Sequence, residues 1–507
     1  MTSEVAHPLL RKVDDVIANH PDRIAIIDKD GVEYSYATLS KKINYCRQVL
    51  KEKGVRLGTK VLVAVPMTIE LYAILLALFS LGGIAVFLDP WLKGKQMGQI
   101  IRKAKPELMI ISSRLRILAL LLPATWSIKS WWGVKKLKEL DAPWSKTPVT
   151  NEDLALITFT GGTGGFPKGA DRTFGFLAAQ LDALEDHLVG EGVLRDYTNF
   201  PIVGLADLAM GNTVIVPSIN LMKIHESDPS EVSKSLELTK ANRLIVSPAL
   251  LKKAVQGFIQ AKSSHGIKEV LSGGAPISFE LIETCLDNFP QVEFEAIFGS
   301  TEAEPISVTS FDKMRQKMTD PLKGVFVGTP GKKVRVRIIE AYTGVINAAK
   351  FEELTCQPGE VGELIVTGDH VNKNYFEDQA AFDENKIIDS EGTIWHRSGD
   401  MAYFNNEDMY LVGRLHRIMS YQNKVLHPYP IEFLVERKFG LMDIGYIKSK
   451  EGQFFLYIGG QKEIKEAAIR EAIQNANYPI DKIIARNKAL PRDPRHRSKL
   501  DLSKLGH

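Results

Sequence analysis

Cysteine is scarce in this sequence, and its few copies lie far apart. The 507 residues contain only Cys46, Cys285 and Cys356, and none of them forms a CxxC pair. Disulfide frameworks and cysteine-rich zinc sites need more cysteines, or more closely spaced ones. We therefore expect neither, and the composition fits a reducing cytoplasm.

An excess of one charge is also missing, since 64 Lys and Arg residues offset 61 Asp and Glu residues to a formal net charge of +3. Such a balance gives no general support for nucleic-acid binding. The first 23 residues have charges spread through them and no apolar core, which predicts that no signal peptide is present. No Gly-x-Ser-x-Gly sequence occurs, so a serine hydrolase of that type is not supported.

Long apolar runs are few. The run most like a membrane span, residues 69–88, contains Glu70 and is interrupted by two glycines, so a buried helix followed by a strand fits it better. A second apolar run, residues 118–122, precedes three tryptophans and Lys129 within residues 126–132. Packing under a loop is favoured for this segment, and peripheral contact of residues 126–132 with a membrane or a partner is the alternative.

What the sequence does contain is a long alternation of strand-like and helix-like segments. The apolar patterns predict strands at residues 23–28, 60–65, 84–88, 154–159, 243–247 and 269–272, and helices at residues 35–53, 69–81, 174–188, 230–240, 249–261 and 279–289. This alternation is typical of an α/β fold in which helices cover the faces of parallel sheets.

Beyond residue 324 the pattern changes to short strands with turns, at residues 334–339, 362–367 and 409–412. These predict a smaller β-rich subdomain that completes a large N-terminal domain. After residue 413 the chain restarts with helices and strands that predict a compact α+β unit of about 90 residues.

A glycine-rich stretch, residues 160–169, follows the predicted strand 154–159 and holds five glycines in ten residues. Because glycine costs chain entropy, packing does not explain so many. Glycines let backbone N–H groups converge on an anion, threonines add hydroxyl donors and Lys168 adds a positive charge, so the stretch indicates triphosphate binding. The predicted phosphate-binding residues are Thr160, Gly161, Gly162, Thr163, Gly164 and Gly165.

Two other interpretations of this stretch fit less well. A Walker loop requires Gly-Lys followed by Ser or Thr, which the order Pro167-Lys168-Gly169 does not match. A flexible surface loop rarely combines so many glycines with a fixed Pro-Lys-Gly and with flanking strand and helix patterns.

Residues 160–169 resemble the phosphate loop of the acyl-adenylate-forming enzymes, which include acyl-CoA ligases, peptide-synthetase adenylation domains and luciferases. That family usually carries Thr-Ser-Gly-Thr-Thr-Gly-x-Pro-Lys-Gly. Here Gly161 and Gly164 replace a serine and a threonine. Two phosphate-facing hydroxyls are therefore missing, whereas binding by backbone amides is retained.

Further motifs match this family in the same order. The resemblance implies that Gly274, Ala275 and Pro276 line the adenine pocket. Residues 298–302 resemble an aromatic-Gly-x-Thr-Glu motif, which implies that the aromatic ring stacks on adenine, the threonine meets the α-phosphate and the glutamate holds Mg²⁺ through a carboxylate oxygen. The residues concerned are Phe298, Gly299, Ser300, Thr301 and Glu302.

Three more positions complete the predicted site. Asp400 ends a Ser-Gly-Asp sequence that resembles the family's Thr-Gly-Asp, where the carboxylate accepts hydrogen bonds from the ribose hydroxyls. Arg414 matches an arginine that reaches the same ribose or a phosphate. Lys499 matches a lysine near the C-terminus that bridges the carboxylate substrate and the α-phosphate. In this assignment Lys499, Glu302, Lys168 and Thr301 are the catalytic residues.

The resemblance also implies an architecture and a reaction. Residues 1–412 would form the N-terminal adenylate-forming domain, residues 413–416 a hinge, and residues 417–507 a mobile C-terminal lid. The implied reaction uses ATP and Mg²⁺ to convert a carboxylic acid, expected to be a long-chain or β-hydroxy acid, into an acyl-adenylate with release of pyrophosphate.

The second reaction step is less defined by the sequence. Acyl-CoA ligases usually have an aspartate after Gly-Arg and then a glycine-containing loop, but here His416 and Arg417 follow and no glycine precedes Tyr429. These features, with an Arg-His-x-x-Lys ending at Lys499 and the sequence Phe-Pro-Ile at residues 200–202, resemble the β-lactone synthetases of bacterial olefin biosynthesis. Thioester formation with CoA is therefore possible but not favoured. An inactive nucleotide-binding protein or a membrane-surface scaffold is a remoter alternative.

Overall fold

The computed structural model describes residues 7–89, 92, 94–142, 146–160, 167–264, 266–441, 443–461, 463–491 and 505. Over these residues the chain divides into two compact units. Unit 1 comprises residues 1–270 and 369–382, and unit 2 comprises residues 271–368 and 383–507.

The helices of the described residues are α1 (Pro8–Asn19), α2 (Tyr36–Glu52), α3 (Ile69–Ser80), α4 (Gly94–Ala104), α5 (Arg116–Leu120), α6 (Phe174–Leu188), α7 (Pro201–Met210), α8 (Pro229–Thr239), α9 (Pro248–Ala261), α10 (Phe279–Asn288), α11 (Phe311–Lys317), α12 (Ala348–Glu353), α13 (Gln379–Asn385), α14 (Pro428–Phe439) and α15 (Glu466–Asn475).

The strands are β1 (Ile24–Ile27), β2 (Glu33–Ser35), β3 (Lys60–Ala64), β4 (Ile84–Leu88), β5 (Leu108–Ser112), β6 (Ser130–Val134), β7 (Leu154–Thr160), β8 (Lys168–Thr173), β9 (Arg195–Thr198), β10 (Thr213–Ile215), β11 (Arg243–Val246), β12 (Glu269–Gly273), β13 (Glu293–Ser300), β14 (Ala303–Ser310), β15 (Val325–Gly328), β16 (Arg335–Ile339), β17 (Gly362–Thr367), β18 (Lys386–Ile388), β19 (Ile394–Asn405), β20 (Asp408–Arg414), β21 (Met419–Tyr421), β22 (Lys424–Leu426), β23 (Ile444–Lys448), β24 (Phe454–Gly459) and β25 (Lys482–Arg486).

Unit 1 contains a six-stranded sheet in the order β6-β5-β3-β4-β7-β8. Every pair in it is parallel except β7 with β8, which is antiparallel. A second group of strands runs β11-β9-β10-β1-β2, parallel except for the β1–β2 pair. The predicted α/β fold with parallel sheets is therefore confirmed.

Helix α3 explains the apolar run noted in the sequence. Eleven of its twelve residues are buried, and Glu70 in its first turn is the exception. A helix buried on all sides needs apolar residues on all sides, so its sequence lacks the usual polar face. The buried helix followed by strand β4 is the predicted arrangement, and no helix among the described residues combines the length and apolar character that a membrane crossing requires.

Unit 2 is richer in antiparallel strands. Strands β13 and β14 form a hairpin, and β15-β20-β19-β17-β16 form a sheet in which β18 also pairs with β19. Strands β23, β24 and β25 form a three-stranded sheet, with helix α14 contacting β23. The predicted β-rich region and the α+β unit near the C-terminus are both present.

Candidate active site

The glycine-rich stretch lies between two paired strands of unit 1. Strand β7 ends at Thr160, β8 begins at Lys168, and these two residues are partners in the antiparallel register. The backbones on both sides of residues 161–166 are therefore fixed by the sheet. The predicted positions Gly161, Gly162, Thr163, Gly164 and Gly165 lie outside the described residues, as does the predicted catalytic Lys499.

A close approach next to Lys168 explains the glycine that follows it. A Cβ atom on Gly169 would lie 2.7 Å from the ring of Phe159, which is fully buried. Phe159 in turn packs edge-on against Phe376, with ring centroids 6.4 Å apart. The backbone N–H of Phe376 donates to the Gly169 carbonyl at 2.8 Å, so residues 370–376 support the outer edge of β8. Lys168 thus projects from a strand held on both sides.

In unit 2, the predicted adenine segment forms a tight turn between β12 and α10. Gly274 adopts φ +80°, a conformation that favours glycine. A Cβ on Gly273 would lie 2.7 Å from the carbonyl oxygen of Ile297, so the turn passes directly against the backbone of β13. Ala275 and Pro276 follow this contact by two and three residues, and the strand that Gly273 touches, β13, also carries Phe298.

The predicted magnesium ligand occupies the tip of the β13–β14 hairpin. Ser300 pairs with Ala303, so Thr301 and Glu302 form the two-residue connection. A Cβ on Gly299 would lie 2.6 Å from the carbonyl oxygen of Ala303, which explains the glycine before the turn. The Ser300 hydroxyl is buried and has no hydrogen-bond partner within the described residues. Such an orphaned polar group suits a ligand, since buried polar atoms are almost always paired.

The predicted ribose-binding residues face each other across β19 and β20. Asp400 and Arg414 are cross-strand partners, and their side chains form an ion pair at 3.0 Å. Arg414 also donates to the Ser398 carbonyl at 3.1 Å. Ser398 replaces the family's threonine, and its hydroxyl accepts from the Asp400 backbone N–H at 3.0 Å and donates to the Leu364 carbonyl at 2.7 Å. The hydroxyl of Ser398 therefore holds the backbone at Asp400 in place.

Tyr429 is a member of this cluster that sequence reasoning missed. It lies in the first turn of α14 and hydrogen-bonds to Arg414. Asp400 raises the pKa of Arg414 against the opposing effect of burial, and Tyr429 and Glu302 add smaller contributions in the same direction. Unit 2 therefore brings Asp400, Arg414 and Glu302 within electrostatic reach of one another.

A second, buried arginine fixes the strand that carries Asp400. Arg397 pairs with Glu363 at 2.6 Å and donates to the carbonyls of Tyr342 and Gly344. Burial raises the pKa of Glu363, although the hydrogen bond and charge of Arg397 oppose the shift. Because these partners all belong to the protein itself, we interpret Arg397 as a support for β19 rather than as a ligand of the nucleotide.

Arg417, in the predicted lid just after the hinge, also makes its polar contacts within the protein. Arg417 pairs with Glu432 of α14 and donates to the Tyr446 carbonyl at 3.2 Å. His416 is exposed. Arg417 therefore anchors the connection after β20 to the α+β region.

The donor set limits how a metal could be held. Among the described residues, no group of three His, Cys, Asp or Glu side chains could enclose a metal ion. Mg²⁺ commonly binds through one or two carboxylates with substrate phosphates and water completing the shell. Glu302 at the hairpin tip fits that mode and not a closed protein cage.

Comparison with known proteins shows the family to which the chain belongs. A family profile described as "AMP-binding enzyme" matches residues 13–376, which is most of the chain. The chain therefore belongs to the AMP-binding enzyme family and is an adenylate-forming ligase.

Among its relatives are proteins with two different named activities. It is 26% identical over 513 residues to the peroxisomal OPC-8:0-CoA ligase 1 of Arabidopsis thaliana, covering 94% of this chain and 89% of the relative. It is also 26% identical over 440 residues to the olefin beta-lactone synthetase of Stenotrophomonas maltophilia, covering 80% of this chain and 78% of the relative.

The solved structures support the fold. The amide bond synthetase McbA from Marinactinospora thermotolerans superimposes with a TM-score of 0.80 at 19% identity, covering 98% of this chain and 99% of that one. The O-succinylbenzoate coenzyme A synthetase from Bacillus subtilis, solved in complex with AMP, gives 0.79 at 19% identity, covering 99% and 98%.

Proposed function

We propose that this protein uses ATP and Mg²⁺ to activate a fatty-acid-type carboxylate as an acyl-adenylate, and then closes a β-hydroxy acyl group into a β-lactone with release of AMP. The observation that carries the first step is the Asp400–Arg414 ion pair at 3.0 Å, placed within electrostatic reach of Glu302. Nucleotide activation requires a carboxylate for the ribose hydroxyls, an arginine and a metal-binding carboxylate. Asp400, Arg414 and Glu302 would supply these three groups.

In the first step, the substrate carboxylate attacks the α-phosphorus of ATP, and pyrophosphate leaves. Alignment and charge neutralisation dominate such transfers. Lys168 and the amides of residues 161–165 would hold the leaving β- and γ-phosphates. Glu302 would give Mg²⁺ an oxygen ligand, and the bound ion supplies positive charge at the phosphates. Lys499 would draw the two anions together despite their mutual repulsion.

Asp400 and Arg414 would act together on the sugar. Arg414 holds the Asp400 side chain by an ion pair at 3.0 Å, and a carboxylate can accept hydrogen bonds from both ribose hydroxyls. The two-residue turn that carries Thr301 and Glu302 would place a hydroxyl and a carboxylate side by side at the α-phosphate. In this way each polar side chain of the proposed site has one defined task.

In the second step, the β-hydroxyl oxygen of the bound acyl-adenylate attacks its own carbonyl carbon. The four-membered lactone ring forms, the carbonyl–phosphate oxygen bond breaks, AMP leaves and the hydroxyl proton is lost to solvent. No thiol is required. The residues at 416, 417 and 495–499 and the similarity to an olefin beta-lactone synthetase support this step.

Thioester formation with CoA is the second candidate. The match to the OPC-8:0-CoA ligase supports it, since that match spans 94% of this chain at the same identity. Both candidates share the adenylation step and differ only in the nucleophile that attacks the acyl-adenylate.

A product assay separates the two candidates. The protein is incubated with ATP, Mg²⁺ and a panel of fatty and β-hydroxy acids, with and without CoA, and the products are analysed by mass spectrometry. AMP release from a β-hydroxy acid without CoA, together with loss of water from the acid, is the expected result. Strict dependence on CoA would select the ligase, and no AMP release from any acid would contradict both.

Replacement of the proposed bridging lysine tests the adenylation step itself. Lys499→Ala should lower acid-dependent pyrophosphate exchange by a factor of about 100 or more, because one charge-stabilising donor contributes about 3–4 kcal/mol to a transition state. ATP binding should largely survive. Exchange is measured with radiolabelled pyrophosphate and binding by calorimetry, with Lys465→Ala near the start of α15 as the control. Normal exchange in the Lys499 variant would contradict the assignment.

A further inference from the structure

Unit 1 has a concentrated apolar surface between strands β5 and β6. Five of the seventeen large hydrophobic side chains that are exposed among the described residues fall within residues 115–126. They are Leu115, Ile117, Leu120, Leu121 and Trp126, and Ile117 and Leu121 are each 74% exposed. We call these five side chains the apolar patch. Single exposed hydrophobic residues are ordinary, but a contiguous group marks an interaction site.

The segment that carries the apolar patch is folded and not a loose loop. The hydroxyl of Thr125 is buried and donates to the carbonyls of Ala119 and Leu122, each at 2.8 Å. The Trp126 indole N–H donates to the Leu120 carbonyl at 2.9 Å, which fixes a ring that is 69% exposed. Tryptophan with its N–H bonded and its ring in solvent suits an interface with an apolar and a polar side.

The opposite side of the same segment is packed. Ala119, Leu122 and Ala124 contact a core cluster that includes Ile100 and Ile101 of α4. Packing under a loop is the favoured prediction for this region, and it is correct for these inner residues, which are partly buried against the cluster. It is wrong for Leu121 and Trp126, which face solvent.

Basic residues flank the apolar patch along the sequence. Residues 108–138 contain six Lys or Arg residues and no Asp or Glu. Arg114 and Arg116 lie on either side of Leu115 and are exposed, and Lys129 is exposed just beyond Trp126. An amphipathic segment with a basic rim and with Leu, Ile and Trp on its apolar side is typical of proteins that lie in a membrane interface.

We infer that the apolar patch docks on the surface of an anionic phospholipid membrane. Six basic residues and no acidic one lie between Glu107 and Glu139, and this charge favours anionic lipid headgroups as the occupant. The rigid Trp126 ring and the leucines enter the headgroup boundary, and Arg114, Arg116 and Lys129 contact phosphate groups.

The test is sedimentation of the purified full-length protein with vesicles, without any substrate. Wild type should bind vesicles of phosphatidylcholine with phosphatidylserine and bind poorly to phosphatidylcholine alone, and high salt should weaken the binding. Leu121→Ser with Trp126→Ser should weaken binding at least about tenfold through lost apolar burial. Arg114→Gln and Arg116→Gln should each weaken it about fivefold.

A matched control separates this surface from general stickiness. Leu238 is 72% exposed on α8, and Leu238→Ser should bind vesicles like wild type. Thermal unfolding confirms that each variant is folded. Absence of wild-type binding to anionic vesicles overturns the inference, as does equal binding by the double variant. So does a wild-type dimer in ultracentrifugation that the double variant converts to monomer, because the apolar patch would then meet a second copy of this chain.

Discussion

Asp400 and Arg414 show how much a single pair of residues contributes to the proposed site. The two lie opposite each other in the sheet register, so the backbone alone brings their side chains together. The hydroxyl of Ser398 fixes the Asp400 backbone, and Tyr429 contacts Arg414 from α14. These contacts therefore orient the carboxylate before any nucleotide binds.

Asp400→Asn tests this pair. The amide keeps the shape but loses the charge, so affinity for AMP and ATP should fall about 10- to 100-fold, in line with about 1.5–3 kcal/mol for a hydrogen bond to a charged group. The measurement is calorimetric titration with AMP.

Asp408→Asn is the control for that measurement, because Asp408 lies on the same strand pair and forms its own ion pair with Lys317 at 2.6 Å. Nucleotide affinity should be unchanged in the control. Equal losses in both variants would show that the Asp400 effect comes from the sheet and not from the site.

At the residue scale, the sequence predicts those site residues that belong to short motifs. Short motifs predict Asp400, Arg414 and Glu302, and the structure pairs the first two at 3.0 Å, with the charge of Glu302 acting on Arg414. Tyr429 gave no comparable signal, because its contact with Arg414 depends on how the first turn of α14 packs against β20. No motif records that packing.

At the scale of elements, two antiparallel strand pairs carry the proposed phosphate-binding parts. Strands β7 and β8 flank residues 161–166, and β13 and β14 carry Glu302. Each pair contains one glycine, Gly169 or Gly299, whose missing side chain lets a neighbour approach within 3 Å of the Cβ position. Paired strands and a tight glycine contact therefore fix the backbone beside Lys168 in unit 1 and, separately, the backbone beside Glu302 in unit 2.

Gly169→Ala should destabilise the protein by about 1–3 kcal/mol, because the added methyl group would overlap the buried Phe159 ring. The free energy of unfolding is measured by urea denaturation. The KM for ATP should rise as well, since the displacement would shift the neighbouring Lys168.

Two further variants make that result specific. Phe159→Leu in the Gly169→Ala background should restore part of the stability. Gly331→Ala is the control, because its Cβ would meet its nearest neighbour at 3.6 Å, an ordinary contact. If the Gly169 variant is as stable as wild type, β8 can shift freely, and its contacts with β7 and Phe376 do not hold it in place.

The bounds of elements with clear apolar periodicity were predicted closely. Helix α9 was expected at residues 249–261 and is found at Pro248–Ala261. Strand β8 was missed, because its sequence Lys-Gly-Ala-Asp-Arg-Thr has no apolar run or alternation. Pairing with β7 and support from residues 370–376 form that strand, and neither contact is visible in its own sequence.

At the scale of the whole molecule, the predicted C-terminal lid is connected to the rest of unit 2 through α14. Arg437 stacks over the Phe279 ring at 3.9 Å and donates to the carbonyls of Met318 and Thr319. Glu436 accepts a hydrogen bond from the Phe279 backbone N–H at 3.2 Å. A boundary near residue 412 and movement of residues 417–507 stay predictions, and these contacts would have to break for such movement.

The Glu436 contact should depend on pH. Burial raises the pKa of Glu436 to about 7 from 4.5, so the folded protein holds the proton more tightly than the unfolded chain. The stability that Glu436 contributes is therefore complete below pH 4.5 and is lost as the pH rises to about 7.

Glu436→Gln should remove this dependence and, above pH 7, raise the free energy of unfolding by about 1–3 kcal/mol relative to wild type. Urea denaturation at several pH values between 4.5 and 8 measures the difference. Glu466→Gln, at an exposed pair with Arg470, is the control and should leave the wild-type pH profile intact. Parallel pH profiles for wild type and Glu436→Gln would contradict the prediction.

The two-residue connection at Thr301 and Glu302 restricts how the length of this hairpin can change during evolution. Side chains alternate between the faces of a strand, so a one-residue deletion within β13 would turn Phe298 to the opposite face. The register already shifts between Phe298 and Ser300, so within the regular part of the ladder, residues 295–298, insertions and deletions should be tolerated best in matched pairs, one in each strand. Lineages that alter their acid substrate would be expected to vary elsewhere and keep this hairpin at constant length.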